Sequence, residues 1–160
     1  MPIQEGWERI VTPSVVPELY VTDLPRSLHF YVDVLGFEIA WDRPESRFAA
    51  IRLRESILML EETTALSAAS DAEFERGAWR TADIEFPFGR GVSFEVTVPE
   101  IDAVHARVVD AGYSVKLGLR ERDYRVAGQV VRLRQFLVMD PDGYLVRLAQ
   151  PIGSKRAATT

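Results

Sequence analysis

Apolar and polar positions along this chain fall into two copies of one rhythm. Between Val15 and Phe37 the sequence reads VVPELYVTDLPRSLHFYVDVLGF. Val15, Leu19 and Val21 mark a short strand that Thr22-Asp23 ends. Asp23 is a good N-cap, because its carboxylate accepts from the first free N–H groups of a helix. Pro25 sits in the first turn, where a missing N–H costs little. Leu24, Leu28, Tyr31, Val32 and Leu35 then recur at helical spacing. Gly36 stops the helix as a left-handed C-cap residue does, and Phe37 and Ile39 alternate into the next strand.

The second copy is VSFEVTVPEIDAVHARVVDAGYSV, Val92 to Val115. Shifted by 76 positions, Gly36 falls on Gly112, Phe37 on Tyr113, Val32 on Val108 and His29 on His105. Strand, helix, glycine, aromatic and strand follow in the same order, which predicts an internal duplication.

Between the copies the pattern predicts strands at Phe37–Arg43, Phe48–Arg54 and Ser56–Glu61, with turns at Pro44-Glu45 and Arg54-Glu55. Residues 63–89 break the periodicity and read as a linker, with a short helix over Asp71 to Trp79 and a turn at Phe86-Pro87-Phe88-Gly89. Gly91–Val98 restarts the strand pattern, and Pro99 opens a helix that runs to about Ala111. Strands at Tyr113–Arg120, Val130–Met139 and Tyr144–Gln150 follow, the last two joined by the hairpin turn Asp140-Pro141-Asp142-Gly143. Module one thus spans 13–62 and module two 90–152, with an N-terminal arm at 1–12, carrying Trp7 and Ile10, and a loose tail at 153–160.

Two runs carry a resemblance to a known family. VTDLPRSLHFYVDVLGFE and QFLVMDPDGYLVRLAQP resemble the paired motifs of the vicinal oxygen chelate superfamily, which groups glyoxalases, bleomycin-resistance proteins and dioxygenases. The resemblance covers residues 13 to 152. It implies an α+β fold: two βαβββ modules forming a curved, mostly antiparallel sheet with helices outside, the ligand held on the concave side. It says little about chemistry, since this scaffold hosts many activities.

Composition narrows the choice. Apolar residues make up 47 % of 160, enough for a packed interior, and there is no cysteine, hence no disulfide or thiolate ligand. No apolar run approaches the roughly 18 residues of a membrane span, and no signal-peptide pattern opens the chain, so a cytoplasmic protein is expected. The net charge of −5 disfavours a nucleic-acid partner.

The superfamily often holds one divalent metal through four strand positions, two per module. Carried over, they fall on Val16, Met59, Gly91 (or Val92) and Arg147. Valine, methionine and glycine offer no hard donor, and arginine repels a cation. His29 and His105 lie on the helices. The resemblance therefore points to the metal-free branch, with no metal, no cofactor and no catalytic residue. The function expected is binding of a small, cationic and aromatic molecule, of the kind that sequesters a bleomycin-like antibiotic. The alternative is a divergent enzyme, lyase, isomerase or dioxygenase-like, using the same cavity. A homodimer is expected from the family.

Strand alternation puts Glu18 on the face of Val16, Glu61 on that of Met59, and Ser93 and Glu95 on that of Gly91. The ligand-binding residues expected are Glu18, Trp41, Met59, Glu61, Trp79, Glu95, Tyr124 and Arg147, with Phe86 and Phe88 as further aromatic candidates. Arg147 is expected either to pair with a carboxylate or to meet the ligand. Arg120, Arg122 and Arg125 around Asp123-Tyr124 read as a mixed-charge loop able to close over the site. No nucleophile–base pair or phosphate loop is present; Gly89-Arg90-Gly91 lacks the helix such a loop needs.

Overall fold

The structure, a computed structural model, describes residues 13–63 and 82–156. The expected arm residues Trp7 and Ile10, the helix over 71–79 and Trp79 lie outside the described residues.

Module one consists of β1 (Glu18–Val21), helix α1 (Leu24–Val34), β2 (Glu38–Arg43), β3 (Phe48–Leu53) and β4 (Ser56–Glu62). Module two repeats the order with β5 (Ser93–Thr97), α2 (Ile101–Asp110), β6 (Val115–Val126), β7 (Gln129–Met139) and β8 (Leu145–Arg156). Each module forms a four-stranded mixed sheet, ordered β1-β4-β3-β2 and β5-β8-β7-β6. The first strand of each pairs in parallel with the last, and the other ladders are antiparallel. This is the α+β architecture of two βαβββ modules, built as two sheets.

The predicted punctuation holds. The Asp23 side chain accepts from the Arg26 N–H, Pro25 sits in the first turn, and Gly36 follows the helix at a φ of 92°. Val15, by contrast, precedes β1 and is 78 % exposed.

The two copies are offset by 76 residues at the glycines but by 77 at the helix caps, Asp23 and Glu100. Helix α1 therefore carries one residue more than α2. It absorbs the extra residue by widening from an α-helix (Leu24–Leu28) into a π-helix (His29–Val34), the usual result of a single insertion. The duplication is also visible in side chains. Glu62, at the end of β4, accepts from the first N–H of α1 (Leu24, 3.0 Å). Gln150 of β8 does the same for α2 (Ile101, 3.2 Å). Glu62 is buried and also receives Arg47 through two nitrogens, at 2.7 and 2.9 Å. Glu62→Ala should lower unfolding stability by about 2 kcal/mol, the cost of an orphaned buried N–H and a lost charge-assisted bond. Urea denaturation reads this directly.

One core cluster joins the modules. Leu19, Val21, Phe30, Tyr31 and Leu60 of the first pack in it with Val108, Phe136, Val138, Val146 and Leu148 of the second. The Asp140–Gly143 turn locks onto module one from this side. Tyr31 donates to Asp140 at 2.9 Å, and the Thr22 N–H and hydroxyl both donate to Asp142.

Two expectations are corrected here. Arg120, Arg122 and Arg125 are not a loop; they lie within β6, and the hairpin turns instead at Ala127-Gly128. The tail is not loose from residue 153, since β8 pairs with β7 as far as Arg156.

Candidate functional site

Each sheet turns one face to the shared core and the other away from it. On module one that second face carries a small apolar cluster: Phe48, Ala50 and Ile57 are buried, with Val16, Trp41 and Met59 packed against them. Strand β3 is thus buried on both sides, because Ala49 and Ile51 alternate into the main core. Beside this patch stand two acids. Glu18 pairs with Met59 in the β1–β4 ladder and Glu61 with Tyr20, so both carboxyls share the face. The two side chains are close enough to influence one another. Burial, then the Glu18 side chain, push the Glu61 carboxyl above its ordinary pKa, and Arg43 works against them. The Arg43 guanidinium lies 4.0 Å over the Phe48 ring.

On module two the corresponding face carries a row of polar groups. Glu95 and Arg147 are directly opposed in the β5–β8 ladder and form an ion pair. The Arg147 guanidinium sits 5.9 Å from the Tyr124 ring centroid. The Tyr124 hydroxyl accepts from Gln135 Nε2 at 2.7 Å. Gln135 is buried, and its Oε1 has no hydrogen-bond partner.

The expected residues thus form two groups: Glu18, Trp41, Met59 and Glu61 on one sheet, Glu95, Tyr124 and Arg147 on the other. No hydrogen bond, ion pair or ring contact joins the two groups among the described residues. Of the other aromatic candidates, Phe88 belongs to the core and Phe86 is exposed. Arg147 pairs with an internal carboxylate, that of Glu95. Sequence reasoning missed Phe48, Arg43 and Gln135. Gln135 was detectable in principle, since alternation from the buried Phe136 places it on the open face.

The positions that would hold a metal do not suit one. Counting seven residues back from the cap Glu100, as Val16 stands back from Asp23, arrives at Ser93, not Gly91. Gly91 lies in a turn before β5. Valine, methionine, serine and an ion-paired arginine give no donor set for a hard or borderline divalent ion. Among the described residues no three His, Cys, Asp or Glu side chains converge as metal ligands. The two histidines have structural roles: His29 Nδ1 is 2.9 Å from Asp33, and His105 meets the Phe136 ring edge-on at 4.9 Å.

A cavity of about 550 Å³ opens where the modules meet, lined by Tyr20, Asp83, Glu85, Phe88, Arg90 and Tyr144 among others. Tyr20 shares a strand face with Glu18, but neither Glu18 nor Glu61 lines this space. No helix among the described residues is long and apolar enough to cross a membrane.

Several solved structures are similar to this chain. A superfamily member from Vibrio splendidus 12B01 is 35 % identical over 86 % of this chain and 97 % of its own, with a TM-score of 0.38. TioX from Micromonospora sp. ML1 is 23 % identical, covering 85 % and 96 %, with a TM-score of 0.58. A lactoylglutathione lyase from Agrobacterium tumefaciens is 20 % identical, covering 86 % and 94 %, with a TM-score of 0.54. The last two likenesses concern the fold alone. No match to a curated protein was found. The sequence profile of the family spans residues 12–148, module one and most of module two with its DPDG turn, and on that extent the chain belongs to the Glyoxalase/Bleomycin resistance protein/Dioxygenase superfamily.

Proposed function

We propose that this protein binds a cationic, ring-bearing small molecule on its open sheet faces, without a metal, and sequesters it as the bleomycin-resistance branch of the superfamily does. The observation that carries the reading is the Glu18–Glu61 pair beside Trp41, Phe48 and Met59. Two carboxyls side by side attract a cation, and the aromatic and thioether surface alongside suits flat rings. Arg147, already neutralised by Glu95, does not oppose such a ligand. The protein acts in this reading as a homodimer, each face being completed by a second chain. Light scattering that finds only the 18.1 kDa species would contradict the dimer.

Calorimetric titration with metal-free and with copper-loaded bleomycin tests the ligand class. Saturable binding at micromolar concentration is expected, weakened about tenfold by Glu61→Gln, which removes roughly one charge-assisted contact. Absence of heat at tens of micromolar removes bleomycin as the ligand.

A further inference from the structure

From the buried, half-satisfied amide of Gln135 we infer that the open face of module two is a second subsite that reads a carboxamide. The inference rests on the reading that these faces take a small molecule, and it names a chemical group that molecule carries. Gln135 is 4 % exposed. Its Nε2 is spent on the Tyr124 hydroxyl, and its Oε1, also buried, meets no donor. A buried acceptor left unpaired is costly, and native proteins seldom leave one without a reason. A donor brought by a ligand removes that cost.

The neighbours define what that ligand group looks like. Gln135 pairs with Ala149 and Leu137 with Arg147, so Gln135 and Arg147 are diagonal neighbours on one face, about 7–8 Å apart at the backbone. Arg147 spends one Nη2 hydrogen on Glu95, and its Nε and Nη1 take no acceptor among the described residues. Tyr124 contacts both, its ring 5.9 Å from the Arg147 guanidinium and its hydroxyl bonded to Gln135. An unpaired acceptor, an unpaired planar donor and a flat aromatic side wall match the N–H, the C=O and the plane of an amide. A ketone offers only the C=O, and a carboxylate would set its charge against Oε1 and Glu95. Gln135 is the specificity-determining residue, because it alone distinguishes N–H from its absence.

The test uses two probes that differ only there. Benzamide and acetophenone share a ring and a carbonyl, and acetophenone lacks the N–H. Titrated into the full-length protein and followed by ¹H–¹⁵N shifts of the Gln side-chain amides, benzamide should bind saturably and about tenfold tighter than acetophenone, one buried hydrogen bond's worth. In Gln135→Leu the preference should vanish. Equal affinities for the two probes in the wild-type protein, or no saturable shift with benzamide at tens of millimolar, would overturn the assignment whether or not the variant folds. The outcome is separable from the bleomycin titration: if bleomycin binds but the benzamide preference is missing, only the amide subsite falls. If benzamide is preferred while bleomycin gives no heat, the subsite stands and bleomycin is excluded as the ligand.

Discussion

Asp140→Ala is expected to cost about 3 kcal/mol or more, because three buried donors lose their acceptor at once. The N–H groups of Asp142 and Tyr144 donate to Asp140 Oδ1 at 2.9 and 2.8 Å, and the Tyr31 hydroxyl donates to Oδ2 at 2.9 Å. Tyr31 belongs to α1 and the turn to module two, so the lost bonds also loosen the join between modules. Asp140→Asn separates the acceptor from its charge. Its Oδ1 keeps both N–H bonds, and its Nδ2 can donate to the Tyr31 hydroxyl oxygen. The charge is what gives this variant its readout. Burial pushes the Asp140 carboxyl up from 3.8 to about 6, outweighing the hydrogen bonds from Tyr144, Tyr31 and Asp142 that favour the ionised form. A raised carboxyl pKa means the fold prefers the protonated acid. Its contribution is therefore complete below pH 3.8 and is lost as pH rises through about 6. Asparagine has nothing to lose over that window. The stability of Asp140→Asn minus that of the wild type should thus climb by about 2–3 kcal/mol between pH 4 and pH 7. Parallel urea melts at several pH values measure the difference, in which the other carboxylates, Glu61 included, cancel. A flat difference would mean that Asp140 ionises as freely in the fold as outside it.

The residues that made this fold legible are those whose local chemistry has one solution. Asp23 caps, Pro25 starts and Gly36 stops because an N-terminal acceptor, a missing N–H and a positive φ each fit one place in a helix. The extent of β6 was not legible for the converse reason. Glu121 to Asp123 are exposed in a ribbon without a buried side, so hydrophobic alternation stops although the ladder continues. The same holds for β8, which pairs as far as Arg156 while exposed from Pro151 onward. The π-helix in α1 left one trace in the sequence, the change of offset from 77 at the caps to 76 at the glycines. The apolar spacing itself barely moves when a single residue is added. At the site, the Glu95–Arg147 pair follows from strand alternation, since both face the side opposite the core. Gln135 does not follow in the same way, because what singles it out is an unpaired oxygen, and only the packed neighbours show that nothing answers it. That pairing also accounts for the two separate groups of site residues: alternation fixes which face a residue takes, and it carries no information on how one sheet stands to the other.

Gly143→Ala should be among the most damaging single-atom changes in the protein, at about 3–5 kcal/mol. Gly143 closes the Asp140 turn at a φ of 95°, where an L side chain alone costs about 1–2 kcal/mol. The larger part is contact. A Cβ there would stand 2.5 Å from Pro87 Cβ, 2.6 Å from Pro87 Cα and 3.1 Å from the Phe86 ring. Two of these are closer than real Cβ atoms come, and one is backbone, which cannot swing aside as a side chain can. Relief requires the 86–88 segment to back away. Phe88 is buried in the core and its N–H donates to the Asp142 carbonyl at 2.8 Å, so the retreat opens the core and breaks the bond that ties the segment to the turn. Gly128→Ala is the matched control. It has a similar positive φ, 78°, with nothing within 4 Å of the added atom, so it should cost only the backbone strain, about 1 kcal/mol. The gap between the two variants in thermal or urea unfolding measures the close approach itself. Equal losses would show that the 86–88 segment yields without resistance, and that the turn is held by the Asp140 and Asp142 bonds alone.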